Sequence, residues 1–316
     1  MKKRFLIIAG VVSFALFSGV ACNSGESKEV NNITENSTTI KVTDDNKEVE
    51  VPVNPETVVS FDYGIIDALD SVGIEVEGLP KDGSLPKSLD KYKDEKYANV
   101  GGLKEPDFEA TNNLNPDLII ISGRQADMYD KFAEIATTVY LSVDGSDYLN
   151  DFSRNLDVLG KIFDKEDFVK ENLDNLTKQM DEVKAMAQEK NVNALTTMVS
   201  EGNLSVFSDK SRFGLIYNQL GITNKDETIE ESNHGQQVTF EYIAEQNPEY
   251  IFVVDKGSAT GGEGTAKALF DNDLIKSTDA YKNDKIVYLD SAAWYVVAGG
   301  LDSTQTMINN VKDALK

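Results

Sequence analysis

Phe108-Glu109, six residues, then Pro116-Asp117-Leu118-Ile119-Ile120-Ile121-Ser122-Gly123-Arg124 is answered later in the chain by Phe240-Glu241, six residues, then Pro248-Glu249-Tyr250-Ile251-Phe252-Val253-Val254-Asp255-Lys256. The two stretches are offset by 132 positions (240 minus 108) without a gap. Asn115 and Asn247 precede the prolines, a glutamate opens each unit, and a base, Arg124 or Lys256, closes it. A chain that writes one unit twice is expected to fold as two similar lobes with matching bases at the mouth between them. The run Leu118 to Ser122 is apolar on both faces, as a strand inside a parallel sheet requires.

Around these units, strands and helices alternate, which argues for an α/β fold. Residues 40–53 alternate polar and apolar around Asp44-Asp45-Asn46 and predict a hairpin. Strands are expected at 57–61, 74–79, 138–141, 195–199, 204–207 and 286–289, and helices at 64–72, 212–220 and 301–315. A longer helix is expected from about Lys165 to Lys190, where Val169, Leu173, Leu176, Met180, Val183 and Ala187 form one apolar stripe and Asp164 stands at the N-cap. At 1.5 Å per residue it is roughly 40 Å long. It either joins two lobes or packs along one sheet, and the repeat on both sides favours the joint. The expected organisation is a first lobe over 38–163, a linking helix over 164–190 and a second lobe over 191–316.

The chain has 316 residues, 40% of them hydrophobic, enough for two domains with real cores. Its net charge of −23 argues against nucleic acid and against a polybasic membrane patch. Any base placed in a cleft therefore stands out. The first 22 residues read as an address: Lys2-Lys3-Arg4, an apolar run from Phe5 to Phe17, small residues, and then Cys22, the only cysteine. This resembles a bacterial lipoprotein signal in which Cys22 is lipidated; the alternative is an ordinary signal peptide with an incidental cysteine. Residues 23–37 are rich in Asn, Ser, Glu and Thr and read as a flexible tether.

Ligands of open α/β sheets sit beyond the carboxyl ends of strands. Arg124 and Lys256 stand there, as cleft cations or as solvated surface charges. Arg212 sits at the start of the predicted 212–220 helix, where a base opposes the helix dipole unless an anion or a salt bridge relieves it. His234, the only histidine, cannot by itself make a multi-histidine metal site. Trp294-Tyr295 either packs or lines a pocket. Glu109 and Glu241 occupy equivalent slots and suggest two matched docking points. No Gly-x-Ser-x-Gly, Walker or His-Glu-x-x-His pattern is present, so no enzyme is expected.

Together, Ile121-Ser122-Gly123-Arg124-Gln125, Ser211-Arg212-Phe213-Gly214-Leu215-Ile216, His234-Gly235-Gln236, Phe240-Glu241-Tyr242-Ile243-Ala244-Glu245, Ile286-Val287-Tyr288-Leu289-Asp290 and Trp294-Tyr295 resemble the substrate-binding lipoproteins of bacterial ABC importers for iron–siderophore complexes. The resemblance runs from about residue 38 to the end and is strongest to the catecholate branch, which takes petrobactin and enterobactin. It implies a class III periplasmic binding fold, two Rossmann-like lobes on one long helix that move little on binding. It implies no intrinsic cofactor; the ligand is an iron(III)–siderophore complex. The partners it implies are a permease, homodimeric or heterodimeric, with its ATPase. The protein is expected to be a monomer held at the outer face of the membrane by lipid on Cys22.

By the same resemblance Arg124 and Arg212 contact catecholate oxygens, and Lys256 stands where a third arginine is usual, keeping the charge without the bidentate fork. Trp294 joins the ligand-binding set. His234 and Tyr295 correspond to residues that coordinate ferric iron when the siderophore leaves two positions open, and Glu109 and Glu241 to carboxylates that engage the permease. Haem or cobalamin is the alternative ligand for the same fold.

Overall fold

The computed structural model describes residues 38–44 and 47–316. The signal segment, Cys22, the tether and the hairpin turn at 45–46 lie outside the described residues. The hairpin itself is present: β1 (Thr39–Asp44) pairs antiparallel with β2 (Lys47–Pro52).

The first sheet is wholly parallel, in the order β5-β4-β3-β6-β7. Its strands are β3 (Val58–Ser60), β4 (Gly78–Leu79), β5 (Ala98–Asn99), β6 (Leu118–Ile121) and β7 (Thr138–Tyr140). Its helices are α1 (Tyr63–Ser71), α2 (Phe108–Asn113), α3 (Tyr129–Ala133) and α4 (Tyr148–Ile162). The second sheet is mixed. Its strands are β8 (Asn193–Ser200), β9 (Asn203–Phe207), β10 (Thr223–Asn224), β11 (Gln236–Val238), β12 (Tyr250–Asp255) and β13 (Ile286–Tyr288). β8, β12, β13 and the short β10 run parallel, whereas β9 runs antiparallel to both β8 and β11. Glu201 and Gly202, with φ of 52° and 81°, make the tight turn from β8 to β9.

The repeat survives in three dimensions. Asn115 and Asn247 both take left-handed backbone, with φ of 49° and 40°. Leu118 and Ile120 face a core shared by the two sheets, as do Tyr250 and Phe252. Ile119 and Ile121, and likewise Ile251 and Val253, face separate outer clusters. The offset therefore preserves which side of the pleat each residue occupies, a period-two property.

In chain order the two sheets are joined by α5 (Glu166–Glu189), 24 residues and so about 36 Å long. Val169, Leu176, Met180, Val183 and Ala187 are buried on its inner stripe. Asp164 does not cap it. With φ of 52°, Asp164 makes the left-handed turn between α4 and α5 and accepts a hydrogen bond from Asn54 Nδ2 at 2.6 Å, leaving Lys165 at the N-cap. The closing helix, Leu301–Ala314, packs on both α5 and α1, so the end of the chain returns to the layer of the first sheet. One apolar core is continuous from Val58, Leu118 and Ile120 through Val183 and Met307 to Phe252 and Val254, and both sheets belong to one compact unit.

Two backbone contacts clamp this unit beside the mouth between the sheets. A Cβ on Gly145, in the turn before α4, would lie 2.2 Å from Arg212 Cα. One on Gly64, in α1, would lie 2.3 Å from Ala298 O. Only glycine allows either approach.

Buried Asp67 on α1 accepts the Ser303 N–H of the closing helix at 3.0 Å. Burial pushes its carboxyl up to about 6 from an ordinary 3.8, partly offset by that hydrogen bond. The folded protein thus holds this proton more tightly than the unfolded chain, and stability falls as pH rises from about 3.8 to about 6. The shift corresponds to about 3 kcal/mol. In urea unfolding across this window, Asp67→Asn, which keeps the acceptor, is expected to lose that share of the pH dependence. An unchanged slope would remove Asp67 from the account.

Candidate functional site

A cleft of about 490 Å³ opens where the carboxyl ends of β3, β6 and β7 meet segments of the second sheet. Asp62 follows β3; Ser122, Gly123 and Arg124 follow β6; Tyr140 ends β7, and Ser142 and Asp144 follow it. The opposite wall is Arg212, Asn233, His234 and Tyr295.

The two guanidiniums converge on one atom. Arg124 Nη2 and Arg212 Nη2 donate to the backbone carbonyl of Tyr295 at 3.4 and 3.2 Å. Tyr295 ends the short helix Ser291–Tyr295, which Asp290 caps at Ala293 N. Its ring lies under Arg212, 4.2 Å from Cζ to centroid. Arg212 forms no ion pair among the described residues, and its Nε is buried without a hydrogen-bond partner. Burial holds its pKa below the ordinary value; Tyr295 partly offsets this, and the like charge of Arg124 adds to it. Arginine keeps its charge regardless. The arrangement is a half-desolvated positive pair whose best partner is an anion.

His234 is exposed on the rim, in a loop where its N–H donates to Ser232 Oγ at 3.1 Å. Gly235, with φ of 76°, then lies against the Phe207 ring and leads into β11. His234 and Tyr295 both line the cleft.

Two expected members are not in the lining. Trp294 is buried at 1% exposure, packs edge-on against Phe213 and donates to Asn310 Oδ1 at 3.1 Å. In so short a helix the neighbour of a cleft residue points into the core. Lys256 opens α8 (Lys256–Ala259) at the carboxyl end of β12, and is half-buried away from the lining. Arg212 and Lys256 leave the sheet at different levels. β9 descends antiparallel to β8, so its end, Phe207, stands opposite Thr196, while Asp255 at the end of β12 stands opposite Val199. Three residues separate those levels, about 10 Å. The segment carrying Arg212 leaves from the lower one. Lys256→Ala is accordingly expected to change affinity less than about twofold, against a tenfold loss for a direct charged contact; a tenfold loss would return Lys256 to the site.

The helix expected over 212–220 is only α6 (Leu215–Asn218), so Arg212 lies in the turn before it and meets no helix dipole of consequence. Glu109 in α2 and Glu241 in α7 (Phe240–Gln246) are exposed, sit one residue into matched helices, and form no ion pair among the described residues. Hydrogen bonds from its own backbone N–H and from Thr239 hold the Glu241 carboxyl below its ordinary range.

Among the cleft residues not signalled by motif are Asp62, Tyr140 and Lys104. Lys104 supplies the third cation of the lining. Its loop is tied to the site by Gln125, fully buried, which accepts the Ser122 N–H at 3.2 Å and donates to Leu103 O. The glutamine in the Ser122–Gln125 stretch was the available hint, but nothing in the sequence names its distant acceptor.

Two α/β layers bridged by a long helix, with an anion-directed cleft between them, define a class III periplasmic binding fold. Residues 58–293 match the periplasmic binding protein family Peripla_BP_2, and the chain belongs to it. Petrobactin-binding protein YclQ of Bacillus subtilis (strain 168) is 44% identical over 319 residues, covering 100% of each chain. Its crystal structure matches with a TM-score of 0.85 and 47% identity, over 88% of this chain and 99% of that one. The periplasmic catecholate-siderophore binding protein VctP of Vibrio cholerae matches with a TM-score of 0.83 and 35% identity, over 87% and 100% of the two chains.

Proposed function

We propose that this protein is the substrate-binding component of an ABC importer and captures a ferric catecholate siderophore. The observation that carries this is the pair Arg124 and Arg212, both aimed at the Tyr295 carbonyl, with Arg212 over the Tyr295 ring and without a carboxylate partner among the described residues. A ferric catecholate is a bulky anion with aromatic faces; guanidinium charge and the Tyr140 and Tyr295 rings suit both properties. The names of the relatives point the same way, to binding rather than catalysis. Tyr295 and His234 offer phenolate oxygen and imidazole nitrogen to iron that a tetradentate siderophore leaves open.

The same reading places a lipid on Cys22, at the outer face of the membrane, and gives Glu109 and Glu241 to a permease and its ATPase. Two relatives carry the word lipoprotein in their names. Membrane partitioning of Cys22→Ala, and iron uptake by Glu109→Lys and Glu241→Lys with binding intact, check these parts.

Titrating the soluble chain with ferric bis-catecholate and tris-catecholate complexes, haem and cobalamin tests the ligand class. Saturable fluorescence quenching by the catecholates, with their iron charge-transfer band, is expected. His234→Ala and Tyr295→Phe should shift that band only for the bis-catecholate. Binding of haem or cobalamin in preference, read from a Soret or corrin spectrum, would overturn the proposal.

A further inference from the structure

Asp62 is a carboxylate in a cleft otherwise built to hold an anion, and it is the only one within ion-pair distance of a cleft guanidinium among the described residues. Its Oδ1 accepts the N–H groups of Gly64 and Ile65 at 2.9 and 3.1 Å, which caps α1. Its Oδ2 accepts the Ser122 hydroxyl at 2.6 Å and lies 3.9 Å from Arg124 Nη1. Asp144, the other acid of the lining, is exposed, forms no ion pair among the described residues, and accepts Ser146 N–H at 3.0 Å. The cap needs only a short polar acceptor, for which asparagine serves as well as aspartate. Asparagine would therefore keep the cap and remove the charge, which sits beside one arginine of the pair and not the other.

We infer that Asp62 is a specificity-determining residue, an internal counter-ion of Arg124 that any bound anion must outcompete. The inference rests on the anion-binding reading of the cleft. Lys104, Arg124 and Arg212 alone would hold any small polyanion by charge. A fixed carboxylate beside them repels an incoming anion in proportion to the ligand's charge, so it lowers the gain from each added negative charge. Recognition then falls to the contacts a simple anion lacks, the Tyr295 and Tyr140 rings. This is discrimination by a built-in repulsive element.

The test uses Asp62→Asn, with Asp62→Ser as a second neutral cap, and two probes. An iron(III) bis-catecholate carries a single negative charge, and a tris-catecholate carries three. Both variants are expected to keep the wild-type melting temperature. Asp62→Asn should bind the tris-catecholate at least about tenfold tighter, because a unit charge a few ångströms away is removed from a partly desolvated site. The gain for the bis-catecholate should be clearly smaller, and the tris-catecholate gain should shrink with added salt. A purely structural role would not make the gain follow ligand charge. Equal gains, no gain, weaker binding with melting intact, or unfolding of both variants would overturn the inference. Wild type and Arg212→Ala run alongside separate the two readings. If wild type binds neither probe, the cleft assignment fails. If wild type binds, Arg212→Ala is weakened and Asp62→Asn gains nothing, only the role of Asp62 fails.

Discussion

Replacing Arg124 and Arg212 together by alanine is expected to weaken ferric catecholate binding by about two to four powers of ten. A charge-assisted contact in a partly desolvated site contributes roughly 1.5–3 kcal/mol, so each arginine should supply about one to two factors of ten. The two changes should not simply add. Both side chains donate to the Tyr295 carbonyl, and each raises the cost of the other's charge. Removing one relieves that repulsion and frees the carbonyl for the survivor, so the coupling in a double-mutant cycle should be measurable. Fluorescence titration of the single and double variants gives the cycle directly. Full affinity in the double variant would show that the ligand binds elsewhere.

Gly145→Val is expected to cost about 3 kcal/mol of stability and to weaken ligand binding in the material that still folds. The built Cβ would lie 2.2 Å from Arg212 Cα, 2.4 Å from Arg212 C and 2.4 Å from Ser211 O. All three are backbone atoms, so no rotamer change relieves the clash, and overpacking of this kind typically costs 1–3 kcal/mol or more. The segment that must move carries Arg212, which couples the stability loss to the site. Gly123→Ala is the control for folding, because its nearest neighbour would be the Tyr140 hydroxyl at 3.9 Å. Chemical denaturation and titration measure both effects. A Gly145→Val protein with wild-type stability would show that the two segments can separate at little cost.

How far the sequence carried the structure depended on periodicity. The doubled unit was legible because the order of residues within each copy is the same, and each copy turns the same strand positions to the shared core, Leu118 and Ile120 in one, Tyr250 and Phe252 in the other. The long helix was legible because apolar residues recur at helical spacing from Val169 to Ala187; of these Leu173 is half-buried and the rest are buried. What failed were inferences about direction. The repeat treats Arg124 and Lys256 as twins, yet an antiparallel strand, β9, enters one sheet and has no counterpart in the other. No local pattern announces that insertion. Trp294 and Tyr295 could not be separated because a helix of five residues offers too little periodicity to say which side faces in. Asp62 and Lys104 were silent because each is recognised only through partners far along the chain, Ser122 for one and, through Gln125, Leu103 for the other.

The seat of the closing helix on α1 gives the polypeptide a temporal order. Ile66 and Leu69 of α1 share one core with Met307, Ile308 and Val311, contributed some 240 residues later. A chain made from its N-terminus therefore carries an incomplete first layer until residues 301–314 have been made. Contacts of such separation are closed late, because the loop entropy comes before the reward. The nascent polypeptide stays pliable for as long as it lacks the 301–314 helix, and the arrival of that helix becomes the step that commits both layers at once.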